Sequence, residues 1–248
     1  EEVRAAFDRV FDSEHFVMGP DLGLFEREMA SWIGSPHLFG VTSGTDAIWI
    51  ALKALGIQPG DRVLTSSFTF FGTISALVNA GAVPVFSDVD PKTGNLCPTA
   101  AEEVLKADTG RTIRAILPVH IFGQMADMRA FSTLADRYHI GLVEDAAQAV
   151  GAEFEGRQAG TWGQLGCFSL YPTKNLGAVG DAGFLTVSDS ALAEKAKLLR
   201  VHGSKTRYIH ETVGGNFRMD TIQAAVVRVF LPHLKTWIAQ RQQAASYY

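Results

Sequence analysis

Short apolar runs alternate with helical patterns of about ten residues through the first 145 positions, and this alternation narrows the possible folds more than any other feature. The strand-like runs are Leu38–Thr42, Arg62–Ser66, Val83–Ser87, Ile113–Val119 and Gly141–Glu144. Between them, helices are expected over Asp46–Leu55, Phe71–Ala80, Thr99–Ala107 and Asp127–Tyr138. The runs are apolar throughout, so both faces of the sheet must be covered. Parallel strands linked by helical crossovers satisfy that demand, which predicts an α/β, three-layer architecture with a mainly parallel central sheet. Two helices precede the first strand, with inner faces expected at Val3, Phe7, Val10 and Phe11, then at Leu22, Phe25, Met29 and Trp32. Beyond Asp145 the pattern shifts to three shorter strand-like runs and a helix over Ala191–Val201. A polar loop follows over His202–Arg218, then a helix capped by Asp220 and interrupted at Pro232.

A formal charge of −4 argues against a nucleic-acid or anionic-membrane partner, because those surfaces need concentrated Lys and Arg. Any phosphate must therefore be held locally. Cys97 and Cys167 stand too far apart for a metal-ligand pair and read as reduced thiols of a cytoplasmic protein. No apolar run approaches membrane-spanning length.

In sheets of this class ligands gather outside the carboxyl ends of the strands, and four segments fall there. Ser43-Gly44-Thr45 joins a strand to a helix, where first-turn N–H groups suit a phosphate, although a plain N-cap reads the same way. Glu144-Asp145-Ala146-Ala147-Gln148 ends a buried strand, and an acid there is costly unless a cation meets it, from an arginine or from a ligand. Phe168–Gly183 holds Lys174 in a turn between two buried strands, with Ser169 close to it. A desolvated amine there loses its proton readily and can attack a carbonyl, whereas an ordinary loop lysine would snorkel to water. The fourth is Gly214-Gly215-Asn216-Phe217-Arg218. A lysine, a ring-facing carboxylate, a phosphate cup and a flat apolar group such as Phe70 together suit pyridoxal 5'-phosphate. The triplets Gly160/Gly163/Gly166 and Gly177/Gly180/Gly183 lack the G-x-G-x-x-G order and open no helix after a first strand, which disfavours a nicotinamide site.

Six blocks carry a resemblance over nearly the whole chain: TSGTDAI (42–48), SFTFFGTISALVNAGAVPVFSDVD (67–90), LPVHIFGQ (117–124), VEDAAQAVGA (143–152), FSLYPTKNLGAVGDAGF (168–184) and GGNFRMDTIQAA (214–225). They resemble the DegT/DnrJ/StrS-type sugar aminotransferases, pyridoxal-phosphate enzymes with the aspartate-aminotransferase type of fold. The resemblance implies that Lys174 is the Schiff-base lysine and that Asp145 partners the pyridine nitrogen. It implies further that Gln148 bonds the ring hydroxyl, that Gly44, Thr45 and Ser169 form the phosphate cup, and that Phe70 stacks on the ring. Asn216 matches an asparagine that reaches the cofactor phosphate of a neighbouring subunit, so a homodimer with shared sites is expected. His120 lies in the family's V-H-x-x-G block without a role assigned to it.

The reaction so implied moves an amino group from an amino acid, L-glutamate by expectation, to a keto sugar of a nucleotide-diphosphate sugar. Asp181-Ala182 replaces the more usual Glu-Gly, a variant that resembles members acting at the 3-keto rather than the 4-keto position. Tyr171 also departs from the common pattern. Competing readings are a non-catalytic, regulatory cofactor-binding relative and a same-family sugar dehydratase, which would carry histidine in place of Lys174. Residues 1–230 are expected to form the cofactor-binding large domain with its extreme N-terminal segment trimmed. Residues 231–248 are expected to begin a helix leading to a small C-terminal domain that is absent.

Overall fold

The computed structural model describes all 248 residues. Helices α1 (Glu2–Ser13) and α2 (Pro20–Ile33) precede β1 (His37–Val41), which feeds directly into α3 (Gly44–Leu55). The alternation then runs β2 (Arg62–Ser66), α4 (Phe71–Asn79), β3 (Val83–Ser87), α5 (Pro98–Ala107), β4 (Ile113–Ile116), α6 (Met128–Tyr138) and β5 (Gly141–Asp145). A two-residue hairpin, β6 (Glu153–Phe154) with β7 (Arg157–Gln158), leads to β8 (Leu165–Ser169), β9 (Gly183–Val187) and α7 (Ser190–Arg200). The long polar loop carries a second small hairpin, β10 (Ser204–Thr206) with β11 (Ile209–His210). Helix α8 (Thr221–Phe230) gives way to a 3-10 turn over Leu231–His233 and then α9 (Leu234–Tyr247), so the interruption falls at Pro232 as expected.

Seven strands form the sheet in the order β1-β9-β8-β5-β4-β2-β3. Pairs β2/β3, β2/β4, β4/β5 and β5/β8 are parallel, and only β9 runs against its neighbours β1 and β8. One apolar layer packs α3, α4 and α7 through residues such as Ile50, Leu52, Leu77 and Leu199. The opposite face is covered by α2 and α8 around Phe25, Met29, Phe168 and Phe184, whose last two rings stack with centroids 4.3 Å apart. A third cluster under α5 and α6 centres on Phe131 and Leu134. No helix is long and apolar enough to cross a membrane.

Several local expectations shift. Helix α1 buries Ala6 and Val10 against α8, leaving Phe11 exposed, because the small Ala6 lets the helices approach. On α2 the fourth buried apolar position is Ile33, with Trp32 half-buried beside it. Asp220 occupies the N-cap position of α8 by its backbone, but its side chain makes no capping bond. Helix α3 starts at Gly44, two residues earlier than the pattern suggested, because Ser43 is its cap.

Candidate active site

The carboxyl ends of β1, β2, β5 and β8, with the loop that leaves β4, surround a cavity of about 520 Å³. Gly44, Thr45, Phe70, Asp145, Gln148, Ser169 and Lys174 all line it, so seven of the eight predicted site residues meet in one place. Asn216, the eighth, does not line the cavity of its own chain; it is exposed and bridges to Val201.

Its floor is the start of α3. Ser43 caps the helix, its hydroxyl oxygen accepting from the Asp46 N–H at 3.1 Å. Thr42 and Ser43 hydroxyls both donate to Asp46 Oδ2, at 2.6 and 2.8 Å, and so are committed within the chain. The first intrahelical bond runs from Ala47 N–H to Ser43 O, leaving the N–H groups of Gly44 and Thr45 ahead of it for an anion. Gly44 packs closely here: a Cβ would stand 3.0 Å from Ser169 Cβ, so Ser169 would have to give way. Gly72 plays the same part on the other wall, where a Cβ would fall 2.9 Å from both Thr45 Oγ1 and the Phe70 ring. Phe70 itself is 73% exposed, its ring free at the cavity mouth.

Asp145 ends β5 and is only 4% exposed. Thr73, in the first turn of α4, donates to its Oδ2 at 2.7 Å, and the Ala147 N–H donates to Oδ1 at 3.1 Å. With Thr73 committed as a donor, Thr69 must donate to Thr73 across their 2.6 Å contact, giving a hydroxyl chain that points toward the carboxylate. Burial pushes the Asp145 carboxyl above the usual range, while the hydrogen bonds from Thr73 and the Ala147 N–H pull it back. It takes part in no ion pair of the chain. Lys174 follows a turn closed by its own N–H to Tyr171 O at 2.8 Å. Burial lowers its amine below the usual lysine value, and the charge of Asp145 opposes that shift. The two groups therefore face the same space and feel each other's charge. Cys167, beside Asp145 on β8, is a buried thiol pushed well above its ordinary value and stays protonated in the core.

Thr69 and Thr73 escaped the sequence reading. Their i, i+4 spacing at a helix start was the available signal, but the partner lies 72 residues further along the chain. Asp181 and Ala182, the departures from the family pattern, both line the cavity, as does Tyr171. Glu144 faces away from it, into a set of donors described below. The glycine triplet Gly160/Gly163/Gly166 belongs to that second arrangement: Gly160 and Gly163 N–H groups donate to Glu144, and a Cβ at Gly166 would meet the Gly160 backbone at 2.3 Å.

The model of one family, the DegT/DnrJ/EryC1/StrS aminotransferases, matches residues 1–248. The chain belongs to that family. Among curated DegT/DnrJ/EryC1/StrS relatives it is similar to a pleiotropic regulatory protein of Geobacillus stearothermophilus, 44% identical across the whole chain and 65% of that protein. It is also similar to the dTDP-3-amino-3,4,6-trideoxy-alpha-D-glucose transaminase of Streptomyces venezuelae, 45% identical over the whole chain and 64% of that enzyme. The crystal structure of S. venezuelae DesV in complex with a ketimine intermediate superposes with a TM-score of 0.94 at 44% identity, covering 99% of this chain and 65% of DesV. The chain thus spans about two thirds of the length of these relatives, and across that span it shares the large α/β fold of the DegT/DnrJ/EryC1/StrS enzymes.

Proposed function

We propose that this chain binds pyridoxal 5'-phosphate in the Lys174/Asp145 cavity and moves an amino group from an amino acid, by expectation L-glutamate, to a keto sugar carried on a nucleoside diphosphate. The observation that carries the reading is the meeting of seven expected residues around one cavity. The residues fit the cofactor on chemical grounds. An amine without a hydrogen-bond partner and a buried carboxylate without a cation share the cavity with a glycine-floored set of free N–H groups. Bound there, pyridoxal phosphate would supply an aldehyde for the amine and a protonated ring that accepts the electron pair left when a C–H bond breaks.

The chain's own residues supply the rest. Gly44 and Thr45 N–H groups, with the Thr45 and Ser169 hydroxyls, hold the phosphate. Asp145 would hold a proton on the ring nitrogen, and that cation would in turn keep the carboxylate ionised against its burial. Phe70 covers one ring face. Lys174 would be freed when the substrate nitrogen takes its place on the aldehyde, and its amine, biased toward the neutral form, would then remove the proton from the amino-acid α-carbon. Asp181 and Ala182, on the cavity wall, together with the name of the S. venezuelae relative, favour the 3-keto position of the sugar. Asn216, exposed and outside its own chain's cavity, supports a homodimer in which it serves the neighbouring site. Two free thiols fit a cytoplasmic setting.

Addition of L-glutamate to cofactor-loaded protein tests the first half: the visible band should bleach and pyridoxamine phosphate should appear by mass spectrometry. A panel of 3-keto and 4-keto nucleotide sugars then tests the second half by the mass change as carbonyl becomes amine. A second reading, a regulatory relative that binds the cofactor without turnover, draws on the name of the Geobacillus protein. An unchanged spectrum with glutamate would favour it. Light scattering of the loaded protein checks the homodimer.

A further inference from the structure

His120 and Glu144 are fully buried, lie beside the proposed site, and have no part in the chemistry above. Glu144 Oε1 accepts from the N–H groups of Trp162 and Gly163 at 2.8 and 2.7 Å. Its Oε2 accepts from the Gly160 N–H at 2.8 Å and from His120 Nε2 at 3.0 Å. Both oxygens are filled by donors, so the imidazole proton sits on Nε2 and Nδ1 is left as an acceptor. The Ala126 N–H uses it, at 3.2 Å. One imidazole thus closes the seven-residue loop from 120 to 126 upon itself.

What that loop carries is the point of interest. Phe122 has φ 56°, a left-handed conformation that is costly for a bulky side chain unless its surroundings hold it. In that conformation the Phe122 N–H donates to Gln148 Oε1 at 2.7 Å. The carbonyl end of the Gln148 amide is thereby occupied, and its NH2 end is the one left for a ligand in the cavity. Asn95 secures the same loop from the other side, accepting from the Ile121 N–H at 3.1 Å and donating to Gln124 O at 3.0 Å.

We propose that His120, held in one tautomer by Glu144, is a positioning residue that closes the 120–126 loop and so presents Gln148 to the cofactor as a hydrogen-bond donor. The inference rests on the function proposed above for its last step, while the loop closure stands on its own. His120→Asn and His120→Phe separate the parts in the full-length chain. An asparagine oxygen can take the place of Nδ1 and needs no tautomer partner, whereas phenylalanine fills the space and accepts nothing. In cofactor-free protein, His120→Phe should speed amide exchange across residues 120–126 about tenfold, while His120→Asn stays within about twofold of the parent. In the presence of pyridoxal phosphate, His120→Phe should weaken the dissociation constant about fivefold and shift the pH titration of the visible band, with His120→Asn restoring both. In a Gln148→Ala background, His120→Phe should weaken binding no further.

Equal exchange in the Asn and Phe variants would overturn the proposal. So would a loosened loop with unchanged cofactor affinity and band, or an undiminished effect of His120→Phe when Gln148 is already removed. If the parent chain binds no pyridoxal phosphate, the proposed function fails, and the exchange comparison alone decides whether His120 closes the loop.

Discussion

Glu144 and Asp145 are consecutive acids on one strand, both out of water, and they meet opposite fates. Successive side chains on a strand point to opposite faces, so one faces the α2/α8 side and the other the cavity. Glu144 collects four donors, three of them backbone N–H groups. Asp145 collects two and adjoins open space. A buried carboxylate with every lone pair matched is part of the framework, because nothing is left for a ligand to improve. A buried carboxylate left short of donors and without a cation is a site, since only an incoming group completes it. The contrast separates scaffold from chemistry without reference to any other protein.

The strongest challenge to this division is Lys174→Ala. Transamination should fall at least about 10³-fold by steady-state assay, because the amine proposed to carry the aldehyde and move the proton is gone. The thermal midpoint should stay near the parent's, since the lysine amine has no bonded partner to lose. The paired substitution at the two acids comes next. Glu144→Gln should cost about 3 kcal/mol in denaturant unfolding, as an NH2 group meets backbone donors inside the core. Asp145→Asn should instead lower kcat/KM about 100-fold and leave the cofactor-free protein at least as stable as its parent. Equal destabilisation by both would erase the distinction.

Much of this was legible in the residues. Lys174 stood out by its company: alone it reads as a loop lysine whose head reaches water, but Asp145, Gln148 and the Ser43-Gly44-Thr45 turn gave its amine a task, and β8 and β9 do flank it. The Ser43-Gly44-Thr45 turn was legible because strand-to-helix junctions are read locally, although the helix start was placed late. The different fates of Glu144 and Asp145 were not, because the donors to Glu144 arrive from 16 to 24 residues away and those to Asp145 from as far as 72. Sequence patterning shows which residues are buried; it does not show who meets them there. The 160/163/166 glycines illustrate the same limit: their order excluded one cofactor motif, but only packing gave them a task.

Two finer tests sharpen the comparison. Thr73→Val removes the largest counterweight to the burial of Asp145, so the acid limb of the activity profile should move to higher pH and kcat/KM should fall about tenfold. Thr73→Ser should restore both. The smallest effect lies in stability against pH for the cofactor-free chain. Burial raises the Asp145 carboxyl, so in that interval the folded state holds a proton that the unfolded state releases. Its contribution to stability therefore falls as pH climbs from the ordinary carboxylate range through the folded value. Thermal midpoints measured across that interval should slope less in Asp145→Asn than in the parent.

The single reversed strand has a consequence for how such chains can vary. Because β9 runs back along β8, the segment that leaves the sheet at Ser169 re-enters it at Gly183 on the same edge, and Leu170 N–H still pairs with Ala182 O at 2.8 Å. Residues added or removed between those two anchors would change how far the lysine arm extends while leaving every strand register untouched. The paired strand ends thus fix where the Lys174 arm begins and ends, and its length sets how far the amine stands from the sheet.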